Sequence, residues 1–239
     1  MEILPAIDLR AGKVVRLIQG DYARQIDYGD DPLAAAARFQ SEGARWVHVV
    51  DLDGAKSGEP ANLGVVESIL AKTDLRVQFG GGVRSDATAR RLLDAGVTRV
   101  VIGTRALRQW DWFSSLVHRG EFAGRVVLGL DAREGQVAVE GWTESTGQSA
   151  VAVAERASTL PLAGIVYTDI AADGMMAGPN TKALAEVVAA TPLPVIASGG
   201  ICTPADLVAL RRLGAAGAIV GRALYEGLLT VADALAAAG

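Results

Sequence analysis

The stretch QFGGGV, Gln78 to Val83, returns as IASGGI, Ile196 to Ile201, and the spacing between the copies decides the fold. Gly81 and Gly199 lie 118 residues apart, and so do Gly103 in VVIGTRAL (Val100 to Leu107) and Gly221 in AIVGRAL (Ala218 to Leu224). Asp51 and Asp169 keep the same 118-residue offset, as do Asn62 and Asn180. The opening motif also recurs: IDLRAGKVV from Ile7 matches LDAREGQVA from Leu130, each placing a carboxylate at the end of an apolar run, before a Gly-centred turn. Asp8 and Asp131 are 123 residues apart, so a few extra residues must fall between the first and second strands. A period this long with two copies is not a solenoid.

Short β-branched runs alternate with Ala- and Leu-rich helical stretches, the pattern of βα units around a parallel sheet. Strand ends are predicted near Asp8, Asp51, Gly80, Gly103, Asp131, Asp169, Ser198 and Gly221. Helices are predicted over Pro32 to Glu42, with Asp31 as N-cap, and over Asp86 to Ala95, closed by Gly96. Eight strands with eight helices predict an α/β protein, a single-domain (β/α)8 TIM barrel built from two duplicated half-barrels of about residues 1–122 and 123–239. The length of 239 residues suits such a barrel, for which about 250 is typical.

Half of the residues are hydrophobic and 5% aromatic, so a core of Ala, Val, Leu and Ile is available. A net charge of −4 and a pI near 5.3 give no basic field for nucleic acid. MEILPAIDLRAGK carries no leader-like pattern, and no apolar run approaches the roughly 20 residues that span a bilayer; a cytoplasmic protein without membrane partners is the expectation. Cys202 is the single cysteine, and His48 and His118 are the only histidines, which leaves little from which to build a metal site. Both histidines are read as packing or surface residues.

The chemistry is expected at the strand ends. Glycine lets backbone approach a ligand closely, and free N–H groups at the start of the next helix attract anions. Gly199, Gly200, Gly221 and Arg222 therefore form one candidate phosphate site, and Gly81, Gly82, Gly103 and Thr104 form its counterpart half a barrel away. Two such sites imply a ligand with a phosphate at each end. Asp8 and Asp131, on opposed strands, would face each other between them, and unequal surroundings can divide two carboxyls into base and acid. Asp169, preceded by Thr168, is ranked higher as a functional residue; Asp51, preceded by Val50, is read as structural or as a weaker contact. Trp142, in the loop after the fifth strand, either stacks on a flat heterocycle or serves as an apolar lid. Gly12, Gly20, Gly135 and Gly141 are candidate hinges for loops that close over the ligand. No dinucleotide or Walker motif is present, and Lys13, Lys56, Lys72 and Lys182 fall in predicted loops or helices, away from the strand ends a Schiff-base lysine needs.

PAIDLRAGKVVRLIQG (Pro5 to Gly20), HVVDLDGA (His48 to Ala55), FGGGVR (Phe79 to Arg84), VVIGT (Val100 to Thr104), YTDIAADGMMAGPN (Tyr167 to Asn180) and IASGGI together resemble the phosphoribosyl isomerase family of histidine biosynthesis. The resemblance covers nearly the whole chain. It implies a (β/α)8 barrel and a cofactor-free Amadori rearrangement of an aminoaldose to an aminoketose, on a small molecule with two phosphoribosyl ends; a monomer is expected. It also implies Asp8 as general base and Asp131 as general acid, with Thr168 and Asp169 assisting and Arg16 among the substrate-binding residues. A bifunctional relative that also isomerises phosphoribosylanthranilate carries Arg two residues before the loop Trp, where this chain has Glu140. The cyclase of the next step carries Cys two residues before its first Asp, where this chain has Ala6. A non-catalytic barrel that binds a bisphosphate would keep the glycines without needing the opposed carboxylates.

Overall fold

The computed structural model describes residues 1–239. β1 (Glu2–Arg10) runs into an antiparallel ribbon of β2 (Lys13–Ile18) and β3 (Asp21–Gly29), and α1 (Pro32–Ser41) leads on to β4 (Trp46–Asp51). α2 (Leu52–Ser57), α3 (Leu63–Lys72), β5 (Arg76–Gly80), α4 (Asp86–Asp94), β6 (Arg99–Ile102), α5 (Thr104–Arg108) and α6 (Trp110–Val117) follow. β7 (Val126–Arg133) opens the repeat with a second ribbon, β8 (Gln136–Val139) and β9 (Glu144–Ser149). Then come α7 (Ala150–Ala157), β10 (Gly164–Asp169), α8 (Thr181–Ala189), β11 (Val195–Ser198), α9 (Pro204–Arg212), β12 (Gly217–Val220), α10 (Arg222–Tyr225) and α11 (Val231–Ala238).

Eight of these strands pair in parallel in the order β1, β4, β5, β6, β7, β10, β11, β12, and β12 pairs back onto β1. The ring is the (β/α)8 barrel that the repeat predicts. Alternation along each strand sorts the side chains into two cores. In β1, Ile3, Ile7 and Leu9 join the large cluster under the helices, whereas Leu4 and Ala6 join Trp46, Val127, Val166, Ile196 and Ile219 inside the ring. Asp8 takes the next inward position. No helix is long and apolar enough to cross a membrane.

The helix predictions agree with the observed elements to within a residue or two at each end. The Asp31 side chain caps α1 by accepting from Ala34 N at 2.8 Å, and Ser85 caps α4 through Thr88 N at 3.0 Å. Thr203, at the position equivalent to Ser85, caps α9 in a reciprocal box with Asp206.

The ribbons are what the sequence reading did not anticipate. β1 turns at Ala11 and Gly12 (φ 49° and 77°) and pairs with β2 in the register Asp8 to Val15 and Arg10 to Lys13. β7 does the same at Glu134 and Gly135 (φ 52° and 75°), with Asp131 opposite Ala138. Two left-handed residues in succession make the tight turn whose twist suits a hairpin. The proposed glycine hinges at these points are therefore turn positions within paired strands. Lys13 lies on β2, not in a loop, and pairs with Asp30 at 2.7 Å. The extra residues of the first copy lie in its longer ribbon, because the caps Asp31 and Ser149 already stand 118 apart.

Gly81 has φ 102°, and a Cβ there would collide with the backbone carbonyl of Asp51, whereas Gly12 has nothing within 4 Å of the same position. Gly12→Ala should cost about 1–2 kcal/mol of backbone strain. Gly81→Ala should cost roughly 2–4 kcal/mol, because overpacking is added to strain. Urea midpoints at unchanged slope would measure both; equal losses would mean that the close approach at Gly81 carries no energetic weight.

Candidate active site

The inward ends of the eight strands converge on one cavity of about 260 Å³. β1 and β7 stand four strands apart in either direction round the ring, so Asp8 and Asp131 enter from opposite walls, and both line the cavity. Thr168, at the end of β10, and Trp142, in the turn between β8 and β9, line it too. Burial holds the Asp131 carboxyl above its ordinary range, against the pull of hydrogen bonding from Trp142 and Thr168.

The first ribbon delivers a cation to this centre. Arg16 on β2 donates to Asp8 Oδ2 at 3.0 Å and, through its other terminal nitrogen, to Asp173 in the loop after β10. Asp8 Oδ1 is buried without a partner. Desolvation raises the Asp8 carboxyl although Arg16 lowers it. Asp173 is pushed up to about 6, first by burial and then by the neighbouring charges of Asp8 and Asp131, with Arg16 acting the other way.

Two glycine cradles flank the carboxylates. Gly81, Gly82, Gly103 and Thr104 line the main cavity with Arg84 and Arg105. Gly199, Gly200, Gly221 and Arg222 line a smaller adjoining pocket, and Arg16, Asp173, Ser198 and Ile219 border both. Gly103 and Gly221 share nearly the same unusual backbone, φ −106° and ψ −96° against φ −110° and ψ −101°. A Cβ on Gly199 would stand 2.7 Å from the Asp169 carbonyl oxygen, repeating the approach of Gly81 to Asp51. The Arg222 guanidinium is already engaged, donating to Gly174 O at 2.7 Å and to Glu226 at 3.2 Å.

Asp169 does something other than the sequence suggests. It accepts from Ala172 N at 3.0 Å and Asn180 Nδ2 at 2.8 Å, and it borders neither pocket. Asp51 makes the matching contacts with Gly54 N at 2.8 Å and Asn62 Nδ2 at 2.7 Å. Both carboxylates tie down the loop that follows their strand, so the two copies share one structural role.

The sequence reading missed Asp173, because its equivalent in the first copy is Ala55 and a search for matched pairs passes over it. Its carboxylate beside Gly174 in an acidic loop was the available signal. His48, read like His118 as a packing or surface residue, lines the cavity, whereas His118 is on the surface with Nδ1 2.7 Å from Ser114 O. Tyr22, Arg84, Arg105 and Ser198 also enter the lining. The ribbons meet over the opening: a Cβ on Gly20 would lie 2.5 Å from the Trp142 ring, and Gln19 Nε2 donates to Ala171 O at 3.0 Å. Glu140 pairs at the rim with Arg84 at 3.7 Å and Arg108 at 3.3 Å.

The family model described as histidine biosynthesis protein matches residues 2–230. A protein of Rhodopirellula baltica named 1-(5-phosphoribosyl)-5-((5-phosphoribosylamino)methylideneamino) imidazole-4-carboxamide isomerase is 48% identical, over 100% of this chain and 95% of its own length. A Synechococcus sp. protein of the same name is 50% identical, over 100% of this chain and 94% of its own. With a match from the first strand of the barrel through its last, this chain belongs to the histidine biosynthesis protein family.

Proposed function

We propose that this chain is the aldose–ketose isomerase of histidine biosynthesis that its relatives are named for, converting an aminoaldose with two phosphoribosyl ends to the corresponding aminoketose. The observation that carries the reading is one cavity with opposed carboxylates at its centre and a glycine cradle on either side. Each cradle holds one phosphate: Gly81, Gly82, Gly103 and Thr104 the first, Gly199, Gly200, Gly221 and Arg222 the second. The sugar is thereby stretched across the centre, where Trp142 covers the heterocycle and Arg16 fixes the acidic groups.

The rearrangement needs one proton given and one taken, and no redox partner. Asp131 has no cation beside it and so retains a proton more readily than Asp8, which is paired to Arg16. It protonates the furanose ring oxygen; the C1–O bond breaks and nitrogen supplies the electrons for an iminium. Asp8, ionised and with a free Oδ1, then removes the C2 proton, and the C–H electrons form the enolamine that tautomerises to the ketose. Thr168 orients Asp131. Asp169 contributes through the loop it anchors. A second reading gives the acid role to Asp173, favoured by a carboxyl pushed up to about 6 beside both cradles.

Purified protein should isomerise the aminoaldose with no added metal or nucleotide. Asp8→Asn should lose on the order of 10²–10⁴-fold in kcat while substrate binding persists, and full activity in that variant would remove Asp8 from the chemistry. Of Asp131→Asn and Asp173→Asn, the variant with the larger kcat loss identifies the acid. Phosphoribosylanthranilate should be a poor substrate, given Glu140 at the rim; comparable kcat/KM on both substrates would establish the bifunctional activity instead.

The proton on Asp173 also has a stability signature. Its ordinary value is 3.8 and its folded value about 6, so between these the native state binds more protons than the unfolded chain. Stability from the neutral carboxyl is present below about pH 4 and is lost as pH rises through about 6. The stability of Asp173→Asn relative to the parent should therefore rise by on the order of 2–3 kcal/mol between about pH 4 and 7. Urea unfolding at each pH measures it, and a flat difference would show that Asp173 titrates normally.

A further inference from the structure

A chain of polar side chains crosses the barrel interior beneath the carboxylates. Glu2, at the start of β1, accepts from Arg99 at 3.3 Å; Arg99 Nε donates to Gln78 Oε1 at 2.6 Å; and Gln78 Nε2 lies 2.8 Å from His48 Nδ1. The Arg99 guanidinium also stacks on the Trp46 ring, 4.0 Å from its centroid. Gln78 is fully buried, and His48 and Arg99 nearly so.

Hydrogen-bond chemistry fixes every orientation in this chain. Arginine has no acceptor, so the Gln78 oxygen must face Arg99 and its amide nitrogen must face His48. That nitrogen can only donate, so His48 Nδ1 must accept. The neutral imidazole therefore carries its hydrogen on Nε2. His48 Nε2 has no protein partner, yet it is not among the buried unpartnered atoms, and His48 lines the main cavity. Its N–H thus opens toward the ligand, on the strand next to Asp8.

Folding alone does not demand this chain. The residues 118 positions later, Val166, Ile196 and Gly217, fill the equivalent places of the second copy with no polar side chain. One half of the barrel packs without a guanidinium in its centre. The other half carries a buried charge, which is costly unless paired and hydrogen-bonded, as Arg99 is to Glu2 and Gln78.

We propose that His48 is a fixed neutral hydrogen-bond donor to an uncharged oxygen of the substrate's sugar, and that Gln78 and Arg99 are positioning residues that set its tautomer. This rests on the isomerase reading for the identity of the ligand and on geometry alone for the donor. Burial, then the charges of Arg99 and Arg16, push the imidazole down to about 3, so the ring stays neutral in the working range. A neutral donor suits a place beside Asp8, because a second cation added to Arg16 would lower further the basicity of the carboxylate that must take the C2 proton.

Two measurements test it. With only two histidines, 15N-histidine spectra of the whole protein are simple to assign; His48 should show the Nε2–H tautomer, and Nδ1–H or an imidazolium near pH 7 would overturn the proposal. Gln78→Glu is nearly isosteric and satisfies Arg99, but a carboxylate at that place demands a hydrogen on Nδ1. The variant should fold with an unchanged urea midpoint or a higher one, display Nδ1–H, and lose on the order of 10²-fold in kcat/KM. His48→Gln, which keeps an N–H at the Nε2 position, should retain more activity than His48→Leu. Unchanged turnover in Gln78→Glu with a switched tautomer would refute the donor role. The tautomer is read without substrate, so a parent protein inactive on the aminoaldose would sink the isomerase reading and leave the donor geometry decided by the spectra.

Discussion

Closing eight parallel strands into a ring leaves each strand only every second residue with which to reach the interior. That constraint governs this molecule. Leu4 and Ala6 spend two inward positions of β1 on packing, and the third falls at the mouth, where Asp8 stands. β10 repeats the arithmetic with Val166 inside and Thr168 at the mouth, and β11 with Ile196 and Ser198. The polar rim is thus set by register rather than by separate local arrangements. A slip of one residue would turn Asp8 out under the helices and bring an aliphatic side chain to the centre.

Duplication supplies a glycine cradle on each side of the cavity, and departures from it set the polar groups at the centre. The glycines at 81 and 199, and at 103 and 221, adopt matched backbones, and Asp51 and Asp169 anchor matched loops. Asp173 has Ala55 as its counterpart, and His48 has Val166. A duplicated fold alone would give a symmetric centre, so the polar residues found on one side only are the informative ones.

This explains what could be read from the sequence. The 118-residue offset made the barrel, its strand ends and both cradles legible, because each rests on glycines and alternation that survive duplication. The offset pairs Asp169 with Asp51, and the two carboxylates do make matched contacts to the loops that follow them; Thr168, the feature that set Asp169 apart in the sequence, lines the cavity itself. The ribbons were hidden because KVVRLI and QVAV follow too closely on strands already assigned, and a two-residue turn leaves no loop to notice. Asp173 and His48 could not be found by matching copies, since neither has a like counterpart. The Gln78 to His48 contact depends on strand pairing, which composition does not reveal.

The electrostatics of the centre depend on the first ribbon being folded back. Among the groups that reach Asp8 and Asp173, Arg16 is the one that bridges them, and it is borne by β2, not by the barrel wall. The ribbon tip is held in turn by Gln19 on the loop after β10 and by Gly20 against Trp142. Lifting the ribbon would withdraw the guanidinium while admitting water. Two neighbouring carboxyls would then lose their shared cation and their desolvation together, and these losses shift a carboxyl in opposite directions. The acid–base character of the site therefore belongs to the closed arrangement of ribbon, loop and barrel, in which one arginine lets buried acids of unequal proton affinity stand side by side.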